Sequence, residues 1–271
     1  MNENPVRKNR MRSSENRRSP DHPSLSVAVP AYNEASVIAS TIERLLTFLR
    51  STGCDFEVIV ADDGSTDQTP AIVQSMRLAN PELRLTTNGH NMGRGSALRH
   101  AFSSAAGSVI AYVDADLPFR LELLQSSIDL VANGSDIAIV SKYAPGAQFE
   151  VPFVRKLAGI GYSVLARIIL GIPFYDCQGG MKAMKRDVLL AMTPLVRDDR
   201  WGWDTEFLTK AWLRGLKVVE IPATGGGLTT RKSTVNLIRD GRRLLIGLFR
   251  LRLGSRPRLR TMTVSREAPN T

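Results

Sequence analysis

Residues 108–120 read SVIAYVDADLPFR: an apolar run of strand length that stops on two acids one residue apart, Asp114 and Asp116, with Pro118 just beyond. Unpaired charge is costly to bury, so a strand that ends in two carboxylates predicts something positive, or water, at its mouth. An Asp-x-Asp pair in that position suits a divalent cation: hard carboxylate oxygens match Mg2+ or Mn2+ and leave coordination positions for substrate phosphates. Taken alone, the tripeptide also fits a strand end that is merely solvated. What flanks it decides between an arginine, a metal ion and water.

Outward from that stretch, the same pattern recurs. LSVAVPAYNE (25–34) is a β-type run with a turn, followed by apolar residues at helical spacing, Val37, Ile38, Ile42, Leu45, Leu46 and Leu49, and a stop at Gly53. FEVIVADDGS (56–65) is a strand and an acidic turn, and TPAIVQSMRLA (69–79) is a helix with Pro70 in its first turn. LRLTTN (83–88) is a short strand, and the Gly-rich turn of residues 89–95 leads into a helix. Beyond residue 116 the pattern predicts a helix over 117–133, a strand over 136–143, an apolar helix over 154–172 and a loop over 173–186. It then predicts a helix from about Asp204, a strand over 216–222 and a basic amphipathic helix over 231–254. Strands alternating with helices of ten or more residues imply a mostly parallel sheet, whose carboxyl edge binds ligands. Asn33/Glu34, Asp62/Asp63 and Asp114/Asp116 should therefore share one edge.

The chain has 271 residues, 43% of them hydrophobic, enough for one large α/β domain. Its net charge of +10 resembles a nucleic-acid signal until it is divided: residues 1–24 carry +3, residues 228–271 carry +9, and the body between them carries −2. Near the C-terminus arginines alternate with leucines without interleaved aromatics, which favours an anionic lipid surface over base stacking. Nucleic acid is therefore not an expected partner, and a nucleic-acid-binding protein remains the alternative of another class. Residues 1–24 lack an apolar h-region and read as a disordered basic arm, and residues 255–271 as a disordered tail. Two cysteines, Cys54 and Cys177, provide neither a disulfide framework nor metal-site spacing, which fits a reducing cytoplasm. No run of 18 uncharged apolar residues occurs, so peripheral attachment to a membrane is expected rather than a spanning helix.

VPAYNE, ADDGSTDQT, GRGSAL and YVDADLP, in that order, resemble glycosyltransferase family 2, nucleotide-diphospho-sugar transferases of the GT-A fold, a Rossmann-like α/β/α sandwich. The resemblance continues through VSKY, YDCQGGMKAMKR and RWGWDTEF, covers roughly residues 25–250, and is nearest to the dolichyl- or polyprenyl-phosphate glucosyl- and mannosyltransferases. It implies an inverting transfer of glucose or mannose from UDP-glucose or GDP-mannose, with Mg2+ or Mn2+. The acceptor would be a polyprenyl or dolichyl phosphate at the inner face of the membrane, with a soluble enzyme acting on a sugar or small phosphorylated acceptor as the alternative.

By the same resemblance Pro30, Tyr32 and Glu34 line the nucleoside pocket, and Asp62 or Asp63 holds base or ribose. A plain Asp-Gly-Ser turn, with Asp63 and Ser65 capping the next helix, is compatible with that role. Arg94 and the helix start beside it approach the diphosphate, or Gly93 and Gly95 simply allow a tight turn. Asp116 is the direct metal ligand, and Asp114 contacts ribose or metal-bound water. A polar residue frequent two places on in the mannosyl branch is Pro118 here, so one ligand comes from water or elsewhere. A lipid phosphate is its own nucleophile, so cations that position it matter most: Lys142, Arg155 and Lys182 are candidates, with Lys232 as a fourth. Lys142 stands where relatives carry Arg and forgoes the bidentate fork. Asp176, Asp204 or Glu206 orient cations or sugar hydroxyls, and Asp204 is the best base if the acceptor is a hydroxyl. The Gly-rich segment 223–233 reads equally as a lid or a linker, and its Lys232-Ser233 order inverts the family's pattern.

Overall fold

A computed structural model of the chain describes residues 24–150, 152–225 and 237–254. Its strands are β1 Leu25–Ala31, β2 Phe56–Asp62, β3 Leu83–Thr87, β4 Val109–Val113, β5 Ile137–Ser141, β6 Met181–Lys185 and β7 Val218–Pro222. They form one sheet in the order β3-β2-β1-β4-β6-β5-β7. Pairing is parallel except around β6, which runs antiparallel to both β4 and β5. The helices are α1 Ile38–Thr52, α2 Thr69–Arg77, α3 Arg94–Ser104, α4 Leu121–Ala132, α5 Phe153–Leu170, α6 Arg186–Met192, α7 Trp203–Leu213 and α8 Leu237–Gly254.

Period-two alternation along the strands builds the layers. Val27 and Val29 of β1, with Val58 and Val60 of β2, pack with Ile38, Ile42, Leu45 and Leu49 of α1 and Leu124 of α4. Ala28, Ile59, Ile110 and Tyr112 face the other way, onto Leu98 and Phe102 of α3 and Trp203 and Phe207 of α7. This is the three-layer α/β/α sandwich with a mostly parallel sheet that the motifs imply. Because β2, β1 and β4 are parallel neighbours, their three acidic turns do share one edge of the sheet.

Two segments differ from expectation. The stretch 173–186 was expected as a loop, but Met181–Lys185 is the antiparallel strand β6. Its mid-strand lysine, Lys182, is fully buried, which only an ion pair with a distant residue permits. The helix expected from residue 117 begins at Leu121, because Leu117 adopts a left-handed φ of 42° and donates its N–H to the Asp114 carbonyl at 3.0 Å, closing a turn. A left-handed leucine costs roughly 1–2 kcal/mol. Burial of Leu117 in the core and a hydrogen bond from the Thr41 hydroxyl to the Ala115 carbonyl hold it there. Residues 1–23 of the basic arm 1–24, the segment 226–236 with Lys232, and the tail from 255 lie outside the described residues.

At the opposite, amino edge, buried Glu57 ties three elements: it accepts from the Ser26 hydroxyl (2.6 Å), the Ala106 N–H (2.7 Å) and Arg84. Burial pushes its pKa up, but those hydrogen bonds and the guanidinium outweigh burial and hold it below the usual glutamate value. A depressed carboxylate contributes stability above its unfolded pKa and loses it as pH falls through the folded one. Thermal melts between pH ~3 and ~7 should show this loss in the wild type, whereas Glu57→Gln should be less stable at neutral pH and flatter in acid. An equally steep acid loss in the variant would exclude Glu57 as its source.

Candidate active site

The carboxyl ends of β1, β2, β4 and β5 open into a cleft of about 2300 Å3 that continues along α5 and α8. Pro30, Tyr32, Glu34, Asp63, Arg94, Asp114, Asp116, Lys142 and Arg155 all line it. Sequence reasoning thus placed most of its candidates in one cavity. Asp62, Asp176, Lys182 and Asp204 are exceptions among the described candidates: all four are buried and none lines the cleft.

The turns after β1 and β2 are stitched by side chains, among them Asp67 and Asn88, which the sequence reading did not single out. Asn33, at a left-handed φ of 55°, receives the Thr66 N–H on its Oδ1 at 2.8 Å and donates its own N–H to the Ser65 hydroxyl at 2.9 Å. Asp62 accepts the Ser65 N–H. The start of α2 is served by Asp67, which accepts the Thr69 N–H at 2.9 Å, and not by Asp63 or Ser65. Asp63 instead organises the next loop: it accepts from Asn88 Nδ2 (2.8 Å), Met92 N (3.0 Å) and Gly93 N (2.7 Å). Gly93 is a glycine for two reasons. Its φ is 115°, and a Cβ there would lie 2.4 Å from the Asp199 carbonyl oxygen. That same carbonyl receives the Ser96 N–H at 3.0 Å, so this N–H of α3 is occupied.

The positive group on the Asp-x-Asp pair is Arg94. Its Nη2 lies 2.8 Å from Asp114 Oδ1 and its Nη1 2.5 Å from Asp204 Oδ2. Asp204, at the start of α7, also receives Lys182 Nζ at 2.9 Å and the Tyr112 hydroxyl. Burial opposes charge on Asp204, but Arg94 and Lys182 outweigh it and hold the carboxyl below the usual range. Burial likewise opposes charge on Arg94, yet Asp204 and Asp114 keep its pKa well above the ordinary arginine value. Burial, with Asp204 adding to it, pushes the Tyr112 phenol well up, so it stays a neutral donor. With both oxygens of Asp204 engaged and the side chain outside the cleft lining, the geometry gives it an anchoring place rather than a proton acceptor's. Lys182 is likewise corrected from acceptor-phosphate ligand to core ion pair, because a fully buried ammonium on Asp204 does not reach the cleft.

Two carboxylates line the rim, Asp114 with one oxygen on Arg94, and Asp116 in the cleft wall. Among the described residues no group of three or more His, Cys, Asp or Glu side chains gathers to enclose a metal. Such a donor set does not fit a closed structural site, but it does fit Mg2+ or Mn2+, which take one or two carboxylates and complete their shell with water and phosphate oxygens. On the far wall Lys142, 24% exposed, stands 3.6 Å from buried Asp176. Burial works against its charge, and Asp176 more than restores it, so its pKa lies above the ordinary lysine value. Arg155 is exposed on the first turn of α5. Gln178 Nε2 and the Tyr162 hydroxyl meet at the Thr205 hydroxyl, at 2.7 and 2.8 Å, a polar cluster in the cleft that the sequence reading also missed.

Residues 26–192 match the model of glycosyl transferase family 2, and the chain belongs to that family. Its fold is the GT-A fold. It is 35% identical over 221 residues to glycosyltransferase AglD of Haloferax volcanii, a match spanning 80% of this chain and 35% of that protein. It is 32% identical over 209 residues to the dolichol-phosphate mannosyltransferase of Pyrococcus furiosus (74% and 56%) and 30% over 217 residues to the dolichyl-phosphate beta-glucosyltransferase ALG5C of Trichomonas vaginalis (75% and 64%). The chain thus spans between about a third and two thirds of these relatives. Among solved structures it is similar to glucosyl-3-phosphoglycerate synthase from Mycobacterium tuberculosis in complex with Mn2+, UDP and phosphoglyceric acid. There the TM-score is 0.63 at 21% identity, over 85% of this chain and 78% of that one. It is also similar to mannosyltransferase PcManGT from Pyrobaculum calidifontis in complex with GDP-Man and Mn2+, with a TM-score of 0.61 at 22% identity over 87% and 66%. At these identities the likeness speaks to the fold.

Beneath the rim, Gly180 supports Asp114: a Cβ there would fall 1.8 Å from Asp114 Oδ2. Gly180→Ala should turn that carboxylate and cut glycosyl transfer by about a hundredfold, the cost of misplacing a reacting site by about an ångström. The far-ultraviolet circular dichroism should stay native. A variant with wild-type turnover would show that the orientation of Asp114 does not matter.

Proposed function

We propose that the chain transfers glucose or mannose from UDP-glucose or GDP-mannose to a polyprenyl or dolichyl phosphate, with inversion, at the cytoplasmic face of a membrane to which it attaches peripherally. The observation that carries this reading is the continuity of one cleft: the acidic rim of Asp114 and Asp116, the cations Lys142 and Arg155, and two outward-facing apolar helices border the same cavity. The lipid-phosphate relatives support the acceptor. The Mn2+ complexes of structural neighbours with UDP or GDP-Man support the donor and the cation.

Held by Asp116, with Asp114 reaching it through bound water, Mg2+ or Mn2+ would neutralise charge developing on the diphosphate leaving group. The chain's own residues do the remaining work. Pro30, Tyr32, Glu34 and Asp63 form the walls for the nucleoside, and Arg94 holds Asp114. Lys142 and Arg155 hold the acceptor phosphate in line with the anomeric carbon. A phosphate monoester is already ionised near neutrality, so no general base is needed. One of its oxygens bonds to the anomeric carbon as the bond to the diphosphate oxygen breaks, and the nucleoside diphosphate departs.

Attachment is supported by what α5 and α8 leave uncovered. They pack on each other, and Phe153 (79% exposed), Leu157 and Ile168 of α5 face outward together with Phe249 (58%) and Leu253 (88%) of α8. Arg242, Arg243, Arg250 and Arg252 are exposed on α8. Inserting one such apolar side chain contributes about 1.5–3 kcal/mol, and each arginine near an anionic leaflet about 1 kcal/mol. On α8 Leu245 is 38% exposed while Leu248 is buried, and Arg167 of α5 lies half-buried over the Tyr175 ring, 4.5 Å from its centroid. Among the described residues no helix is long and apolar enough to cross a membrane.

Labelled UDP-glucose, GDP-mannose and UDP-N-acetylglucosamine, each with Mn2+ or Mg2+, should be offered polyprenyl phosphate in anionic vesicles and, separately, 3-phosphoglycerate or free sugars. The expected result is label in an organic-extractable, acid-labile product, abolished by chelator and by Asp116→Asn and reduced by Phe249→Glu. Label only in aqueous products would replace the lipid acceptor with a soluble one. Turnover indifferent to chelator would refute the metal-dependent reading.

A further inference from the structure

Four charged side chains form a row of alternating sign, Lys182, Asp204, Arg94 and Asp114, joined by contacts of 2.9, 2.5 and 2.8 Å. Their side-chain exposures rise along it, from 0% and 1% to 10% and 32%, so the row leads from the core to the cleft. Burying such a row gives no assured gain in stability, since apolar side chains of similar volume often serve as well or better. Its geometry points to another use.

We propose that Lys182 and Asp204 are positioning residues of the donor pocket, acting through Arg94 to fix which way the Asp114 carboxylate points. This rests on the reading of Asp114 as part of the nucleotide-sugar site. Arg94 spends different nitrogens on the two acids, Nη1 on Asp204 and Nη2 on Asp114, so the planar guanidinium transmits the position of one carboxylate to the other. Aromatic rings on Tyr112 and Trp201, 5.1 and 5.8 Å from its central carbon, bound that plane. Lys182 contributes a second tie. Its Nζ donates to the Gly179 carbonyl at 2.6 Å, and the adjoining Gly180 both accepts the Asp114 N–H at 2.9 Å and lies directly against Asp114 Oδ2. One ammonium thus anchors Asp204, which steadies Oδ1 through Arg94, and also the backbone beneath Oδ2. With both oxygens placed, Asp114 meets an incoming ribose or metal-bound water already oriented, and the donor does not have to order it.

The test separates orientation from stability. Asp204→Asn, the pair Asp204→Asn with Lys182→Met, and Arg94→Lys are compared with wild type by thermal melting and by calorimetric affinity for UDP and GDP with Mn2+. Asp204→Asn strands the buried Lys182 and leaves Arg94 with Asp114 alone, and both its melting temperature and its nucleotide affinity should fall. In the pair, removal of Lys182's charge should recover melting temperature but not affinity, because Arg94 has lost its anchoring carboxylate. Arg94→Lys keeps every charge and loses the fork, since one ammonium cannot hold both acids in that geometry. Its nucleotide affinity should drop about ten- to a hundredfold, the range expected for losing a charged hydrogen bond, with any acceptor KM unchanged. Affinity that recovers together with stability in the pair, or that Arg94→Lys leaves intact, would overturn the proposal. Binding of the diphosphate depends on neither the acceptor nor the sugar, so a wrong lipid assignment appears separately, as missing lipid product with these binding changes intact. Wild-type protein that binds neither UDP nor GDP would remove the donor reading and the inference with it.

Discussion

The Arg94 guanidinium, held between Asp204 in the core and Asp114 at the mouth of β4, is the contact on which the organisation of this site turns. A strand that ends in an Asp-x-Asp pair needs a cation, and here the protein supplies Arg94 to the first acid, while both acids line the cleft. The place of Asp114 is thereby tied to the core. That tie is made by elements far away in sequence: α3 supplies Arg94, α7 supplies Asp204 and the antiparallel β6 supplies Lys182.

The rest of the fold serves that edge. Parallel pairing of β2, β1 and β4 brings three acidic turns side by side, and the loops between them are closed by short polar side chains, Asn33, Asp63 and Asp67. On the other side of the cleft, α5 and α8 present apolar residues to solvent where an α/β domain ordinarily presents charge. A polar half and an apolar half joined in one cavity suit the proposed reaction between a water-soluble sugar nucleotide and a lipid phosphate.

Local signals in the sequence were sufficient for the sheet edge and its carboxylates, since a β-type run, an acidic turn and a 3.6-residue apolar period lie within thirty or so residues of each other. Long-range pairing was not legible. MKAMK reads as a loop whose Lys182 is a candidate for the acceptor phosphate, because nothing near it shows that Asp204, 22 residues on, neutralises Lys182 inside the core. Asp204 itself looked like an available acid for the same reason. Gly180 looked like part of a motif, and what makes it a glycine, the approach of a carboxylate 66 residues earlier in the chain, exists only after folding. Residues whose position follows from neighbours in sequence lie where the reading places them, and residues whose contacts are made by neighbours in space lie elsewhere or were missed.

A crystal structure of the protein soaked with a nucleoside diphosphate and Mn2+ tests the central claim most directly, because the ion's anomalous scattering locates it without ambiguity. The account predicts the ion on the Asp116 carboxylate and the diphosphate oxygens, with Asp114 still bonded to Arg94 and Arg94 still on Asp204. An ion seated on Asp114 with Arg94 displaced from it, or a diphosphate bound with no ion at this rim, would contradict it.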